Sequence, residues 1–166
     1  MPLSLNAIND FDQTQFTKSL GWVFEHSPWV ADRAWHRRPF ASRAHLSEEM
    51  ANEVAAASKE EQLSLLGAHP DLGTRAKISA ESTAEQASAG LDRLTAGEYA
   101  RLTELNNAYR GKFGFPFLIA VKGSDKVAIL EALERRLNSS PEDEFQEALR
   151  QVYRIARFRL ESVVEQ

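Results

Sequence analysis

Across 166 residues only one stretch, Gly114-Phe115-Pro116-Phe117-Leu118-Ile119-Ala120-Val121, is apolar enough to suggest a buried strand, and no second alternating run exists to pair with it. A lone strand leaves its backbone groups without a ladder, and even a two-stranded pair is marginal in water. Every other long segment carries helical periodicity and helical punctuation. The expectation is therefore an all-α protein, a single-domain multi-helix bundle over residues 1–166. GFPFLIAV is read as a buried extended connector or a helix start. No internal repeat, low-complexity tract or Pro/Ser-rich linker offers a boundary within it.

The helix starts can be placed from capping chemistry. Asp10 is expected to cap a segment in which Phe11, Phe16, Leu20, Val23 and Phe24 approximate a stripe, and Pro28 to open PWVADRAWHRR, which Pro39 closes. Ser47 is read as the cap of SEEMANEVAAA. Ser58 with Glu61, and Thr95 with Glu98, have capping-box spacing. Leu102, Leu105 and Tyr109 then share a face. Asp125 is expected to cap KVAILEALERRL, with Val127, Leu130 and Leu133 or Glu134 on successive turns. Pro141 opens the longest helix, with acidic residues at the positive end of its dipole.

Charge and composition exclude several function classes. With 20 basic and 24 acidic residues the formal net charge is -4, so no basic excess is available to neutralise a phosphate backbone; a nucleic-acid partner is not expected. Cysteine is absent, which removes disulfides, thiolate nucleophiles and Cys-based zinc sites together. The first residues lack the pattern of a secretory signal, the longest apolar run is too short to span a bilayer, and the last three residues are not a peroxisomal address. A soluble cytoplasmic protein without a membrane partner is the simplest reading.

The C-terminal helix carries the sharpest physical clue. Phe145, Leu149, Val152, Ala156, Arg159 and Val163 follow steps of four and three, which places Arg159 inside an apolar stripe. An arginine there must be paired. It is half of a structural salt bridge, a stem that snorkels to water near the helix end, or an anchor for a ligand carboxylate, which suits its planar fork. Arg157 falls on the outer face. In LLGAHPDLGTRAK, His69 leaves a helix because the residue before Pro70 is biased away from α. Imidazole can transfer protons near neutral pH, yet a satisfied helix-terminal histidine explains the same spacing. No HExxH pattern or facial triad joins His69 to Asp71, so no metal site is expected.

In Ser82-Thr83-Ala84-Glu85-Gln86, Ser82 can cap a short helix with Glu85 completing the box and Gly90 ending it; alternatively Glu85 and Gln86 face a polar ligand. The run Phe113-Gly114-Phe115-Pro116-Phe117-Leu118-Ile119-Ala120-Val121-Lys122 is core by composition. If extended and unpaired, its buried amides and carbonyls need partners, which a small heterocycle bearing urea-like groups would supply. His26, in Phe24-Glu25-His26-Ser27-Pro28, is read as a junction residue rather than a catalyst.

Five segments in order, GWVFEHSPWVADRAW, LLGAHPDLGTRAK, STAEQASAGLDRLT, LNNAYRGKFGFPFLIAVKG and QVYRIARFRL, resemble the 2-oxo-4-hydroxy-4-carboxy-5-ureidoimidazoline (OHCU) decarboxylase family from about Phe16 to Leu160. That resemblance implies an all-helical, dimeric enzyme of urate catabolism that needs no cofactor and converts OHCU to S-allantoin and CO2. It implies His69 as the proton-transfer residue assisted by Glu85, and substrate contacts at Pro70, Ser82, Gln86 and the backbone of Phe117 to Val121. Its C-terminal arginine falls on Arg157 or Arg159, and the helical-face argument selects Arg159. Two rivals remain open: a hydrolase of a neighbouring ureide, and a helical protein-interaction module.

Overall fold

The computed structural model describes residues 2–74 and 79–166; the Arg75 to Lys77 end of the histidine segment lies outside the described residues. Among the described residues the protein is helical, with α1 (Leu5–Asp10), α2 (Gln13–Leu20), α3 (Trp29–Ala34), α4 (Arg43–Ala55), α5 (Lys59–Gly67), α6 (Ala80–Ser88), α7 (Ala96–Phe113), α8 (Lys126–Arg136) and α9 (Pro141–Val163). Short 3-10 turns, Gly21–Val23 and Trp35–Arg37, follow α2 and α3. The chain forms two compact units, residues 1–68 with 152–166 and residues 69–151.

In the first unit, α2 begins at Asp12, whose carboxylate accepts from the Gln15 N–H at 2.8 Å while the Gln15 side chain accepts from the Asp12 N–H at 3.0 Å. The expected cap at Asp10 is therefore corrected: Asp10 ends a separate helix, α1, capped by Ser4. Ser47 is also corrected. The helix starts a turn earlier at Ser42, whose hydroxyl accepts from His45 at 3.0 Å, because the buried stripe Leu46, Met50, Val54 needs that turn. Pro28 precedes α3, and Ser58 with Glu61 forms the expected capping box of α5. Phe16 stacks on Phe40 at 5.8 Å within a core that includes Ile8, Leu20, Val30, Leu46, Met50 and Leu65. Leu3 pairs with the chain's end, donating to Val163 at 2.7 Å and accepting from Glu165 at 2.8 Å. That isolated bridge is the only β-type pairing among the described residues.

In the second unit, Thr95 with Glu98 forms the expected box and Leu102, Leu105 and Tyr109 are buried. Asp125 caps α8, accepting from Ala128 at 2.9 Å. The α8 stripe differs from expectation: Ile129, Ala132, Leu133 and Arg136 face inward, and Val127 is exposed. Gly114 ends α7 with φ +82°, a left-handed turn that glycine adopts without a Cβ penalty. The aromatic run beyond it is neither helix nor strand from Pro116 to Val121. Phe115 and Phe117 pack edge-on to Tyr109 at 5.9 and 5.3 Å.

Candidate active site

His69 follows directly on the α5 cap residue Ala68 and is 7% exposed, so the imidazole is buried rather than set at an open edge. Pro70 beside it is half-buried. The loop that follows is held by two buried carboxamides on different helices. Gln86 of α6 accepts from the Gly73 N–H at 2.8 Å, and Asn106 of α7 donates to the Leu72 carbonyl at 3.0 Å. Gly73 has φ +71°, and a Cβ there would stand 2.5 Å from Leu102 Cδ2, so both conformation and space require glycine. Outside this latch, Asp71 pairs with Arg110 at 3.0 Å. Because the amide nitrogen of Asn106 must donate to a carbonyl, its oxygen is fixed as an acceptor. That Oδ1 is the one fully buried side-chain polar atom without a hydrogen-bond partner among the described residues.

The capping reading of Ser82 is overturned. Ser79 caps α6, its hydroxyl accepting from the Ser82 N–H at 3.2 Å, and Ser82 lies in the first turn. Glu85 therefore completes no capping box. Gly90 does end the helix, in a Schellman arrangement: Gly90 donates to Ala87 at 3.1 Å and Leu91 to Gln86 at 3.0 Å. With the cap elsewhere, Ser82, Glu85 and Gln86 form one helical face. Ser82 and Gln86 are buried, and Glu85 is half-buried. A polar face turned inward in this way is unusual for a short helix, and Gln86 ties it to the loop that carries His69.

The run from Phe117 to Val121 is buried except at Ile119, which is half-buried. Its backbone is partnered by side chains. Arg136 Nη1 donates to the Leu118 carbonyl at 2.6 Å, and Gln151 Oε1 accepts from the Ala120 N–H at 2.9 Å. Arg136 also grips Glu144 through Nε and Nη2 at 2.8–3.1 Å and lies 4.5 Å over the Phe117 ring. Tyr109 donates its hydroxyl proton to Glu144, and burial followed by that carboxylate pushes the phenol's pKa up. Sequence reasoning missed Arg136, Glu144, Gln151 and Asn106. The signal lay in helical phase: Arg136 follows Leu133 by three, and Glu144, Ala148 and Gln151 share a face of α9.

In the first unit Arg159 is 4% exposed and pairs with the equally buried Glu25 at 2.9 Å. The same guanidinium donates to the Trp22 carbonyl at 3.2 Å. Glu25 lies in a tight turn closed by Ser27 N–H to the Phe24 carbonyl at 3.1 Å, with His26 in the left-handed region at φ +46°. The turn directs the Glu25 carboxylate inward and leaves the His26 side chain exposed, as a junction residue. The salt-bridge reading of Arg159 thus has its partner, a residue the sequence reading had not singled out. Arg157 is exposed, 4.0 Å from Glu161. His69, Ser82, Glu85, Gln86 and the 117–121 run belong to one unit, Arg159 and Arg157 to the other. Among the described residues no group of three or more His, Asp or Glu side chains gathers as metal ligands would, and no helix is long and apolar enough to cross a membrane.

Comparison with known proteins gives this arrangement a family. The model of the OHCU decarboxylase family matches residues 9–161. The OHCU decarboxylase of Halalkalicoccus jeotgali is 48% identical over 161 residues, covering 97% of this chain and 92% of that protein. That of Haloferax volcanii is 48% identical over 158 residues, covering 95% and 94%. The crystal structure of an (S)-allantoin synthase superposes with a TM-score of 0.80 at 32% identity, spanning 99% of this chain and 54% of the other. With the match running through all five motif segments, the chain belongs to the OHCU decarboxylase family.

Proposed function

We propose that this protein decarboxylates OHCU to (S)-allantoin and CO2, with His69 as the proton-transfer residue. Family membership across residues 9–161 supports the reaction. The observation that carries the residue assignment is the buried polar constellation of His69, Ser82 and Gln86, latched through Gly73. Helical interiors are apolar, and burying polar groups costs free energy unless they are hydrogen-bonded, so a buried polar cluster is a specific feature of the fold.

The substrate supplies its own electron sink. The carbon that carries the hydroxyl and the carboxylate adjoins a ring C=N bond. As the bond to the carboxylate breaks, its electron pair forms a C=C bond with the neighbouring ring carbon, the imine nitrogen takes up a proton, and CO2 leaves. The resulting enol then surrenders its hydroxyl proton to become a carbonyl, and the neighbouring carbon is protonated. His69, assisted by Glu85, takes the hydroxyl proton and returns a proton to one face of that carbon, which fixes the S configuration. An organic cofactor is not required where the substrate delocalises the carbanion. Pro70, Ser82 and Gln86 contact the substrate, the 117–121 backbone holds the ring, and Arg159 rather than Arg157 orients its anionic oxygens. We further place the enzyme in the cytoplasm as a homodimer and treat residues 1–166 as one functional domain, readings supported by the resemblance and by a family match that runs through both units.

The test is CO2 release from enzymatically generated OHCU by H69N. A positioned general acid–base is worth about 10²–10⁴-fold, so turnover falls by that factor while melting stays close to wild type. Unchanged turnover in a folded H69N removes His69 from the chemistry.

A further inference from the structure

We propose that Arg136 and Gln151 are positioning residues that set the two main-chain polar groups of Ile119 as a donor–acceptor pair for the edge of a small cyclic ureide. The proposal rests on the reading above and assigns residues to it that the family motifs do not name.

Peptide planarity fixes the directions. In a trans peptide the C=O and N–H point in opposite directions, and the bonds flanking Ile119 are trans. The Leu118 carbonyl is held by Arg136 at 2.6 Å, so the Ile119 N–H, in the same peptide, faces away from Arg136. The Ala120 N–H is held by Gln151 at 2.9 Å, so the Ile119 carbonyl faces away from Gln151. Both anchors belong to one polar cluster. Arg136 grips Glu144, and Glu144 and Gln151 lie seven residues apart on one face of α9. Gln151 is itself oriented by donating to Glu147 at 2.7 Å. The N–H and C=O of Ile119 therefore leave the chain on the same side, opposite that cluster. Neither has a hydrogen-bond partner among the described residues, and Ile119 is the half-buried member of an otherwise buried run.

A residue that presents both groups on one side matches a partner with an N–H and a C=O on one edge, as in a closely bonded antiparallel pair. An amide within a five-membered ring is locked cis and has that edge. A secondary amide in an open trans chain has its N–H and C=O on opposite edges and engages one group alone, whereas a terminal urea group also carries one N–H syn to its carbonyl; the pair therefore reads a cis N–H/C=O edge. Its composition suits positioning, since the fork of Arg136 divides between Glu144 and Leu118 and its ring contact with Phe117 removes the remaining freedom.

The experiment measures kcat and KM on enzymatically generated OHCU, and the Kd of allantoin by calorimetry, for wild type, Q151M, R136K and the exchange E147Q/Q151E. Q151M keeps the volume and removes the acceptor for Ala120; the exchange restores that acceptor and reverses the bond to its neighbour. Expected are a roughly tenfold rise in KM and allantoin Kd in Q151M and R136K, kcat within about threefold, and recovery of most of the loss in the exchange. Wild-type KM and Kd in Q151M, or an exchange that recovers stability without affinity, overturns the proposal. If Q151M does not fold, R136K is read by the same criterion. Absence of OHCU turnover in the wild type would defeat the proposed reaction, while the allantoin titration would still decide the positioning role.

Discussion

Replacing Glu25 and Arg159, singly and together, separates the two roles open to that arginine. The pair is buried, at 2–4% side-chain exposure, with a 2.9 Å contact. Removing one partner strands a buried charge, which costs about 3–5 kcal/mol, whereas replacing both with apolar groups is often neutral or stabilising. For E25L and for R159M the expected loss is about 3–5 kcal/mol; at about 2–4 °C per kcal/mol for a chain of this size, melting falls by roughly 6–20 °C. In E25L/R159M the stranded charge is gone. The Trp22 and Val23 carbonyls still lose their Arg159 donor, at 3.2 and 3.5 Å, a loss of about 1–2 kcal/mol together. The double variant should thus melt within a few degrees of wild type, far above either single variant. Losses that simply add in the double variant would refute the account of a coupled buried pair. The same double variant tests catalysis. If Arg159 also orients substrate, E25L/R159M recovers its stability and not its CO2 release. Recovery of both would make the arginine structural and remove it from the proposed mechanism.

Two further outcomes are expected. Glu61 is held down to about 2 by its bond from Arg33, with the Ser58 N–H next in importance, against an ordinary value of 4.5. A carboxylate depressed in the fold stabilises above its unfolded pKa, and that contribution is lost as pH falls from about 4.5 towards 2; E61Q should flatten this part of the acid limb in pH-dependent melting, and an unchanged limb would dismiss the ion pair as a contributor. G73A forces an L-residue to φ +71° with a Cβ 2.5 Å from Leu102, at about 1–2 kcal/mol for the backbone and a further 1–3 for overpacking. It should lower melting and turnover together, while G111A, in open space on α7, should leave turnover intact and raise melting slightly; equal behaviour of the two would refute the latch.

The fold class was legible because one unpaired apolar run cannot make a sheet, and three caps were legible because Ser58, Thr95 and Asp125 sit three residues ahead of the amides they accept from. Two of the three misplaced caps share one cause. Ser47 and Ser82 have capping chemistry but lie inside helices, and the true caps, Ser42 and Ser79, are the same residue type a few positions earlier. A hydroxyl advertises a helix start without saying which of two serines the buried stripe will use. At Ser82 the difference bears on the candidate site as well, since it puts a serine that is 6% exposed on the inward face of α6, together with Gln86.

Helical phase decided which polar residues could be seen. Arg159 was visible because six positions on α9 fixed its stripe, and its partner Glu25 was not, because a turn with a left-handed His26 sets that carboxylate's direction and no period encodes it. Arg136 obeys the same rule as Arg159: an arginine on an inward face, paired with a buried glutamate. It was hidden because the α8 stripe was drawn through Val127 and Leu130. Nine residues at about 100° each place Arg136 about 180° from Val127, so an inward Val127 turns Arg136 to solvent. Reversing that single phase brings in Arg136, then Glu144, then the Leu118 carbonyl, and so determines which way the Ile119 peptides must face. The polar cluster that sets the candidate ring-binding edge was therefore written in the sequence, and its recovery depended on the orientation of one eleven-residue helix.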